Sequence, residues 1–95
     1  MTSDKFSENR GEVIKEHTVI TDGIELYYTL YCMLLTDENR TCYSVSVTVT
    51  CGSESESAYA FDITGIRDCA ESIFDTVCAG TVTPCTLYDI LEDML

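Results

Sequence analysis

Apolar and polar residues alternate along the first two thirds of the chain, most regularly over residues 41–51. One face of this segment carries Tyr43, Val45, Val47, Val49 and Cys51, and the other carries Cys42, Ser44, Ser46, Thr48 and Thr50. Successive side chains of a β-strand point to opposite faces, so one apolar face with a period of two is typical of a half-buried antiparallel strand. The pattern therefore predicts a strand over residues 41–51.

Two strands are predicted before this one, joined by a tight turn. Residues 12–20 combine β-branched residues with charges on both faces, which favours an edge strand. Residues 24–35 are apolar on both faces and predict a central strand. The dipeptide Asp22-Gly23 between them is favoured in two-residue hairpin turns. The sequence thus predicts a β-hairpin over residues 12–35.

A fourth, shorter strand is predicted over residues 58–63, with Tyr59, Phe61 and Ile63 pointing inward. Turn-forming residues lie on both sides of the third strand, over residues 37–40 and 52–57. Their content of Asp, Asn, Gly and Ser predicts a turn at the first segment and a loop at the second.

The spacing of apolar residues becomes helical after Thr64-Gly65. One stripe comprises Ile66, Ala70, Ile73, Phe74, Val77 and Cys78, and a second comprises Leu87, Ile90, Leu91 and Met94. Gly80 is expected to end the first helix as its C′ residue. Thr83 and Pro84 are predicted to begin the second, because threonine is a good N-cap and proline suits the first helical position. Loss of that cap in Thr83→Ala is expected to cost about 1 kcal/mol.

The order of these elements predicts an α+β fold, in which a four-stranded antiparallel β-meander is followed by two C-terminal helices packed on one face of the sheet. Residues 1–11 are polar and without a pattern, which predicts a flexible N-terminal segment. Residues 12–95 are then a single α+β domain, as expected for a chain of 95 residues.

The charge of the chain is strongly acidic, with 17 acidic and 5 basic side chains and a formal net charge of −12. Such a field repels phosphates, so neither nucleic acid nor an anionic membrane surface is an expected partner. The first dozen residues lack the apolar core of a signal peptide, and no run approaches the ~20 apolar residues of a membrane span. We therefore expect a cytoplasmic protein.

Six cysteines are present, and none forms a C-x-x-C pair. In a reducing compartment they are expected to stay free thiols and to act as small apolar residues. Cys69 and Cys78 point to roughly opposite sides of one predicted helix, and Cys42 and Cys51 point to opposite faces of one strand. Neither pair can chelate one ion, so no metal and no cofactor is predicted.

Catalytic groups are sparse. His17 is the only histidine, and its place on the charged first strand predicts a surface residue rather than a catalytic base. Carboxylates at helical spacing, such as Asp68 with Glu71 and Asp89 with Glu92, are typical of a solvated helix face. The sequence therefore predicts no enzyme, although a thiol-based sensor or a minor enzyme stays open as a third class of function.

The last third of the chain shows a distinctive pattern. It runs from Ile63-Thr64 through the first helix to Val82-Thr83-Pro84, and then to Leu87, Asp89-Ile90 and Glu92-Asp93. In this it resembles a family of short uncharacterised proteins from anaerobic Gram-positive bacteria, classed as a domain of unknown function. The resemblance implies a bacterial cytoplasmic setting, with strands first and a terminal helix that begins at V-T-P. It implies no activity and no site residues.

The sheet face turned away from the helices is the candidate binding surface. If the apolar face of the third strand meets the helices, the other face carries Tyr27, Tyr31, Met33, Ser44, Ser46 and Thr48. Tyrosine and serine supply amphipathic contact area and adaptable hydrogen bonds. The leading hypothesis is a non-enzymatic interaction module that binds a protein partner or forms a homodimer. The alternatives are a small-molecule pocket between sheet and helices, or a sheet face that is simply solvated.

Overall fold

A computed structural model of the chain describes residues 11–94. The strands are β1 (Glu12–Thr21), β2 (Ile24–Leu35), β3 (Arg40–Cys51) and β4 (Glu54–Thr64), and the helices are α1 (Arg67–Ala79) and α2 (Leu87–Met94). The strands pair in the order β1-β2-β3-β4, each antiparallel to its neighbour. The predicted α+β meander with two C-terminal helices is confirmed. The flexible segment predicted over residues 1–11 lies, except for Gly11, outside the described residues.

The turn between β1 and β2 forms where the sequence places it. Asp22 and Gly23 both adopt positive φ, at 52° and 78°, and Thr21 pairs with Ile24 on either side. Two successive positive φ values define the type I′ turn, whose twist matches that of the flanking strands. This turn sets the register that pairs Tyr28 with His17 and Leu26 with Val19.

The segment 54–57, predicted as a loop, belongs to β4, so that part of the prediction is wrong. Only Gly52 and Ser53 separate β3 from β4, and Cys51 pairs directly with Glu54. Gly52 has φ of 64°, which glycine adopts without strain. The Ser- and Glu-rich composition correctly indicates that residues 54–57 are exposed to solvent. These residues nevertheless pair with β3.

Two side chains of β4 point opposite to the prediction. Tyr59 pairs with Ser46, and Phe61 is 51% exposed, so both lie on the face away from the helices, whereas Ala60 pairs with Val45 in the core. A β-bulge at Asp62, whose φ is 57°, then returns Ile63 to the core as predicted. Between the pairs Val45–Ala60 and Tyr43–Thr64, β4 contains two more residues than β3, and the positive φ of Asp62 breaks the alternation of facing there.

The core lies between one face of the sheet and the two helices. Among residues 11–94, its buried members are Leu26, Tyr28, Leu30, Tyr43, Val45, Val47, Ala60, Ile63, Ala70, Ile73, Phe74, Val77, Val82, Leu87 and Leu91. The Tyr28 hydroxyl donates a hydrogen bond of 2.9 Å to the Val82 carbonyl, which ties β2 to the segment between the helices. Within residues 11–94, neither helix has the length and apolarity needed to cross a membrane.

The C′ residue after helix α1 is Thr81 rather than the predicted Gly80, because the helix ends at Ala79 and Gly80 is its C-cap. Gly80 keeps a right-handed φ of −84°, and Thr81 adopts φ of 48°. The Val82 amide donates to the Val77 carbonyl and the Thr81 amide donates to the Cys78 carbonyl. These two bonds are those of a Schellman motif in which Thr81 is the C′ residue. A β-branched residue is strained there, because its side chain crowds the backbone at positive φ.

Thr81→Gly should therefore raise the free energy of unfolding by about 1 kcal/mol, since it relieves that strain. Urea denaturation followed by circular dichroism measures the change. Gly80→Gln is the matched control. Gly80 has a right-handed φ, so its replacement relieves no backbone strain of the kind proposed for Thr81. A Thr81→Gly variant no more stable than the parent would show that Thr81 carries no strain.

Helix α2 begins at Leu87, three residues after the predicted start at Thr83-Pro84. The first helical hydrogen bond runs from the Ile90 amide to the Thr86 carbonyl, which makes Thr86 the N-cap residue. The Thr86 hydroxyl accepts from the Thr83 amide at 3.2 Å, and the Thr86 amide donates to the Thr83 carbonyl. The Thr83 hydroxyl contacts the Thr86 hydroxyl, at 3.1 Å, and the Cys85 thiol. Residues 84–86 thus form a turn that precedes the helix.

Thr86→Val should cost about 1 kcal/mol, because it keeps the shape of the side chain but removes the hydroxyl that accepts from the Thr83 amide and donates to the Thr83 carbonyl. Thr83→Val is the matched control and should cost less, since the Thr83 hydroxyl bonds only to side chains. The urea denaturation midpoints of the two variants show which substitution lowers the stability more. A larger loss in Thr83→Val would show that the Thr83 hydroxyl stabilises this turn more than the Thr86 hydroxyl does.

Candidate interaction surface on the outer sheet face

The outer face is the side of the sheet turned away from α1 and α2. The strand register pairs Tyr27 with Thr48, Tyr31 with Ser44, and Met33 with Cys42. Ser46 pairs with Thr29 between the first two of these pairs. Paired residues of antiparallel strands share a face, so the structure brings all six predicted site residues together on β2 and β3.

The six residues differ in how much of each is accessible. Tyr27, Tyr31, Met33 and Thr48 are partly exposed. Ser44 and Ser46 are only 1% and 6% exposed. The rings of Tyr31 on β2 and Tyr59 on β4 meet edge-to-face across β3, with centroids 5.9 Å apart. The serines therefore form the floor of the outer face, and the larger side chains on either side form its accessible surface.

Ser44 has a structural contact of its own. Its hydroxyl accepts a hydrogen bond of 3.0 Å from the Asp62 amide at the bulge of β4. The Asp62 carboxylate accepts two bonds from Arg40, at 2.6 and 3.2 Å, and Arg40 also bonds Glu38. The Arg40 guanidinium holds the pKa of the Asp62 carboxyl below its ordinary value. Ser44 thus stabilises the bulge that separates Phe61 on the outer face from Ile63 in the core.

Sequence reasoning missed four apolar residues of this face. Val13 pairs with Tyr31 and is 44% exposed, and Ile20 is 73% exposed on the same side of β1. Tyr59 and Phe61 are the contributions of β4. The alternation of Ala58 and Ala60 with two aromatic residues was a usable signal, because small residues suit a strand face covered closely by helices.

The outer face carries little charge. Among residues 11–94, the charged side chains placed on it by the register are Glu16, Glu25 and Arg40. The Tyr27 hydroxyl donates a bond of 2.5 Å to the Glu16 carboxylate, which raises the pKa of Tyr27. Arg40 is ion-paired at one corner, and Glu25 lies at the end beside the first hairpin turn. The middle of the face is neutral and rich in aromatic rings.

A family model described as "Family of unknown function (DUF6514)" matches residues 8–95. The chain belongs to this family. The match covers both the sheet and the helices, and it confirms the predicted resemblance to a domain of unknown function. No curated protein and no solved structure matches this family member.

The sheet and α1 of this DUF6514 protein also enclose an open groove of about 480 Å³. Lys15, His17, Phe74, Asp75 and Cys78 are among its lining residues. The Lys15 ammonium and the Asp75 carboxylate are 3.4 Å apart. Burial, with a smaller contribution from Asp75, raises the pKa of the Cys78 thiol to about 11. The thiol is therefore protonated and unreactive at neutral pH, and the lysine is already paired.

Cys78 should make stability fall at alkaline pH. Its thiol has a pKa of about 11 in the folded chain, against an ordinary 9.0, so only the unfolded chain ionises between these values. The stabilisation that comes from keeping the buried thiol protonated is therefore complete below about pH 9, and it is lost as the pH rises towards 11. Urea denaturation at about pH 8 and pH 10 should show a smaller decline for Cys78→Ala than for the parent chain. Cys69→Ala, at an exposed position, should retain the decline of the parent.

Proposed function

We propose that this protein is a non-enzymatic interaction module that binds a protein partner through the outer face. The observation that carries the proposal is the concentration of accessible apolar side chains there. Val13 and Phe61 are 44% and 51% exposed at the two edges of the row that contains the partly exposed ring of Tyr31, and Ile20, at 73%, is exposed beside Glu25 at the other end of β1. Soluble proteins seldom expose large contiguous apolar patches without a binding role.

The chemistry of the face also suits a protein partner. Aromatic residues are enriched in the buried centres of protein interfaces, and charged residues are depleted there. Tyr27 and Tyr31 each add a hydroxyl to an apolar ring, so they can form hydrogen bonds as well as bury area. The groove beside α1 supports a small-molecule function less well, since Lys15 is paired and the Cys78 thiol is protonated.

The bacterial and cytoplasmic setting belongs to the same proposal. It is supported by the resemblance of the C-terminal third and by the six cysteines, all of which are free thiols in the structure. Free thiols persist in reducing compartments.

Site-specific photocrosslinking in the native host tests the proposal. A benzophenone amino acid replaces Phe61 on the outer face in one variant and Tyr88 on α2 in the other. The two positions are matched, since both are aromatic and are 51% and 54% exposed. Irradiation should give discrete protein adducts from position 61 and few from position 88. Equal yields at the two positions, or no adduct at position 61, would refute a binding role for the outer face.

A further inference from the structure

We propose that the partner is a second copy of this chain, with the two outer faces packed together about a two-fold axis. This inference rests on the proposed function, because it names the partner of the same surface.

The distribution of charge selects the outer face for self-association. Each copy has a net charge of −12, so two copies repel each other, and the repulsion is weakest when the surfaces that face each other carry few charges. The basic side chains of residues 11–94 are Lys15, Arg40 and Arg67, and each is in an ion pair. The helices expose the carboxylates Asp68, Asp75, Asp89, Glu92 and Asp93. A basic partner would therefore bind the helix side, whereas the outer face, whose few charged groups lie towards its edges, suits another surface that carries few charges.

The order of the strands makes the outer face complementary to itself. A two-fold rotation about an axis parallel to the strands places β1 of one copy over β4 of the other, and β2 over β3. Two-fold interfaces pair each residue i with j and each j with i, and packed sheets keep their strands within about 30° of each other. In both halves of the interface, β2 of one copy, which carries the tyrosines, then faces β3 of the other copy, which carries the serines and threonines.

One row of residues illustrates this fit. Val13 pairs with Tyr31, and Tyr31 pairs with Ser44, beyond which β4 carries Phe61. The exposed apolar side chains of Val13 and Phe61 lie at the two edges of this row, and Tyr31 lies inside it beside the small buried Ser44. After the rotation, Val13 faces the partner's Phe61 and Tyr31 faces the partner's Ser44. Exposed apolar groups thus meet each other, and a large side chain meets a small one.

Sedimentation velocity of the full chain tests the inference. We expect a species of twice the chain mass whose fraction rises with protein concentration. We also expect it to rise with salt, because the Debye length shrinks from roughly 20 Å to about 4 Å between about 0.02 M and 0.5 M and screens the repulsion. Val13→Asp and Phe61→Asp should each raise the dimer dissociation constant at least about tenfold, since each buries an unpaired charge. Both positions are exposed, so the fold is retained.

Ile66→Asp is the matched control. Ile66 is 61% exposed at the start of α1, and its substitution adds the same charge away from the outer face. It should leave the dissociation constant close to that of the parent chain. A dimer weakened equally by all three substitutions, or by none of them, would place the contact elsewhere and overturn the inference.

The remaining outcomes separate the two proposals. A chain that stays monomeric at high protein and salt concentration, yet forms adducts at position 61 with other proteins, overturns the dimer and leaves the interaction module intact. A monomer without such adducts overturns both. A monomer that becomes a dimer in Phe6→Ser would make the chain's own N-terminal segment the occupant, and that outcome also overturns the inference.

Discussion

Leu87→Ala should lower the free energy of unfolding by about 2–5 kcal/mol. Leu87 is 0% exposed and belongs to the core beneath the sheet, so alanine would leave a cavity there. The loss is large beside the total stability of roughly 5–15 kcal/mol for a domain of ordinary size. Helix α2 has 8 residues, and helices of that length do not persist alone in water, so its helical state depends on this burial.

Leu34→Ala is the matched control for this prediction. Leu34 is 59% exposed at the end of β2, and its truncation should change stability by about 0.5 kcal/mol or less. Urea denaturation at one fixed protein concentration compares the two variants, since any dimer makes stability depend on concentration. Similar midpoint shifts for the two leucines would show that α2 is not part of the cooperative core.

Tyr28→Phe should cost about 1–3 kcal/mol, although it removes a single oxygen atom. Tyr28 is 0% exposed, and its hydroxyl donates to the carbonyl of Val82, which is itself 6% exposed. Without that donor the carbonyl stays buried and loses its hydrogen bond. The effect should reach the segment between the helices, and faster amide exchange of Val82 and its neighbours would report it by NMR.

A second tyrosine provides the comparison. The Tyr88 hydroxyl donates to the Tyr59 carbonyl at 2.7 Å, but Tyr88 is 54% exposed. Water can replace its hydroxyl in Tyr88→Phe, so the expected loss is about 0.5 kcal/mol or less. A Tyr28→Phe variant as stable as Tyr88→Phe would mean that the buried hydrogen bond contributes no more than an exposed one.

The elements of the fold could be predicted where a single periodic pattern runs without interruption. Strand β3 alternates over its whole length, and the Asp22-Gly23 dipeptide fixes the first hairpin. The ends of the helices could not be predicted in the same way. They depend on which residue adopts positive φ and which amide finds which carbonyl, and Thr81 takes the position that composition assigns to Gly80.

The candidate surface was predicted on β2 and β3, whereas Val13 and Phe61 on the outer strands were missed because both lie beside irregularities in the register. The register of β2 with β3 is continuous, so alternate residues such as Tyr27 and Tyr31 stay on one face. The register shifts between Val13 and Lys15 on β1, and again near Asp62 on β4. Val13 and Phe61 adjoin these bulges. A bulge changes the facing of a strand, and its position depends on contacts such as the bond from the Asp62 amide to Ser44.

The order of the elements has a consequence for synthesis on the ribosome. All four strands precede Gly65, whereas the helices that cover the apolar face of the sheet come from residues 67–94. At about 5–20 residues per second, translation of that last part takes roughly one to six seconds. Throughout this interval a nascent sheet would present Tyr28, Leu30 and Val45 without their cover. Chains stalled or truncated before Leu87 should therefore aggregate or bind chaperones, even though every strand of the sheet has been made.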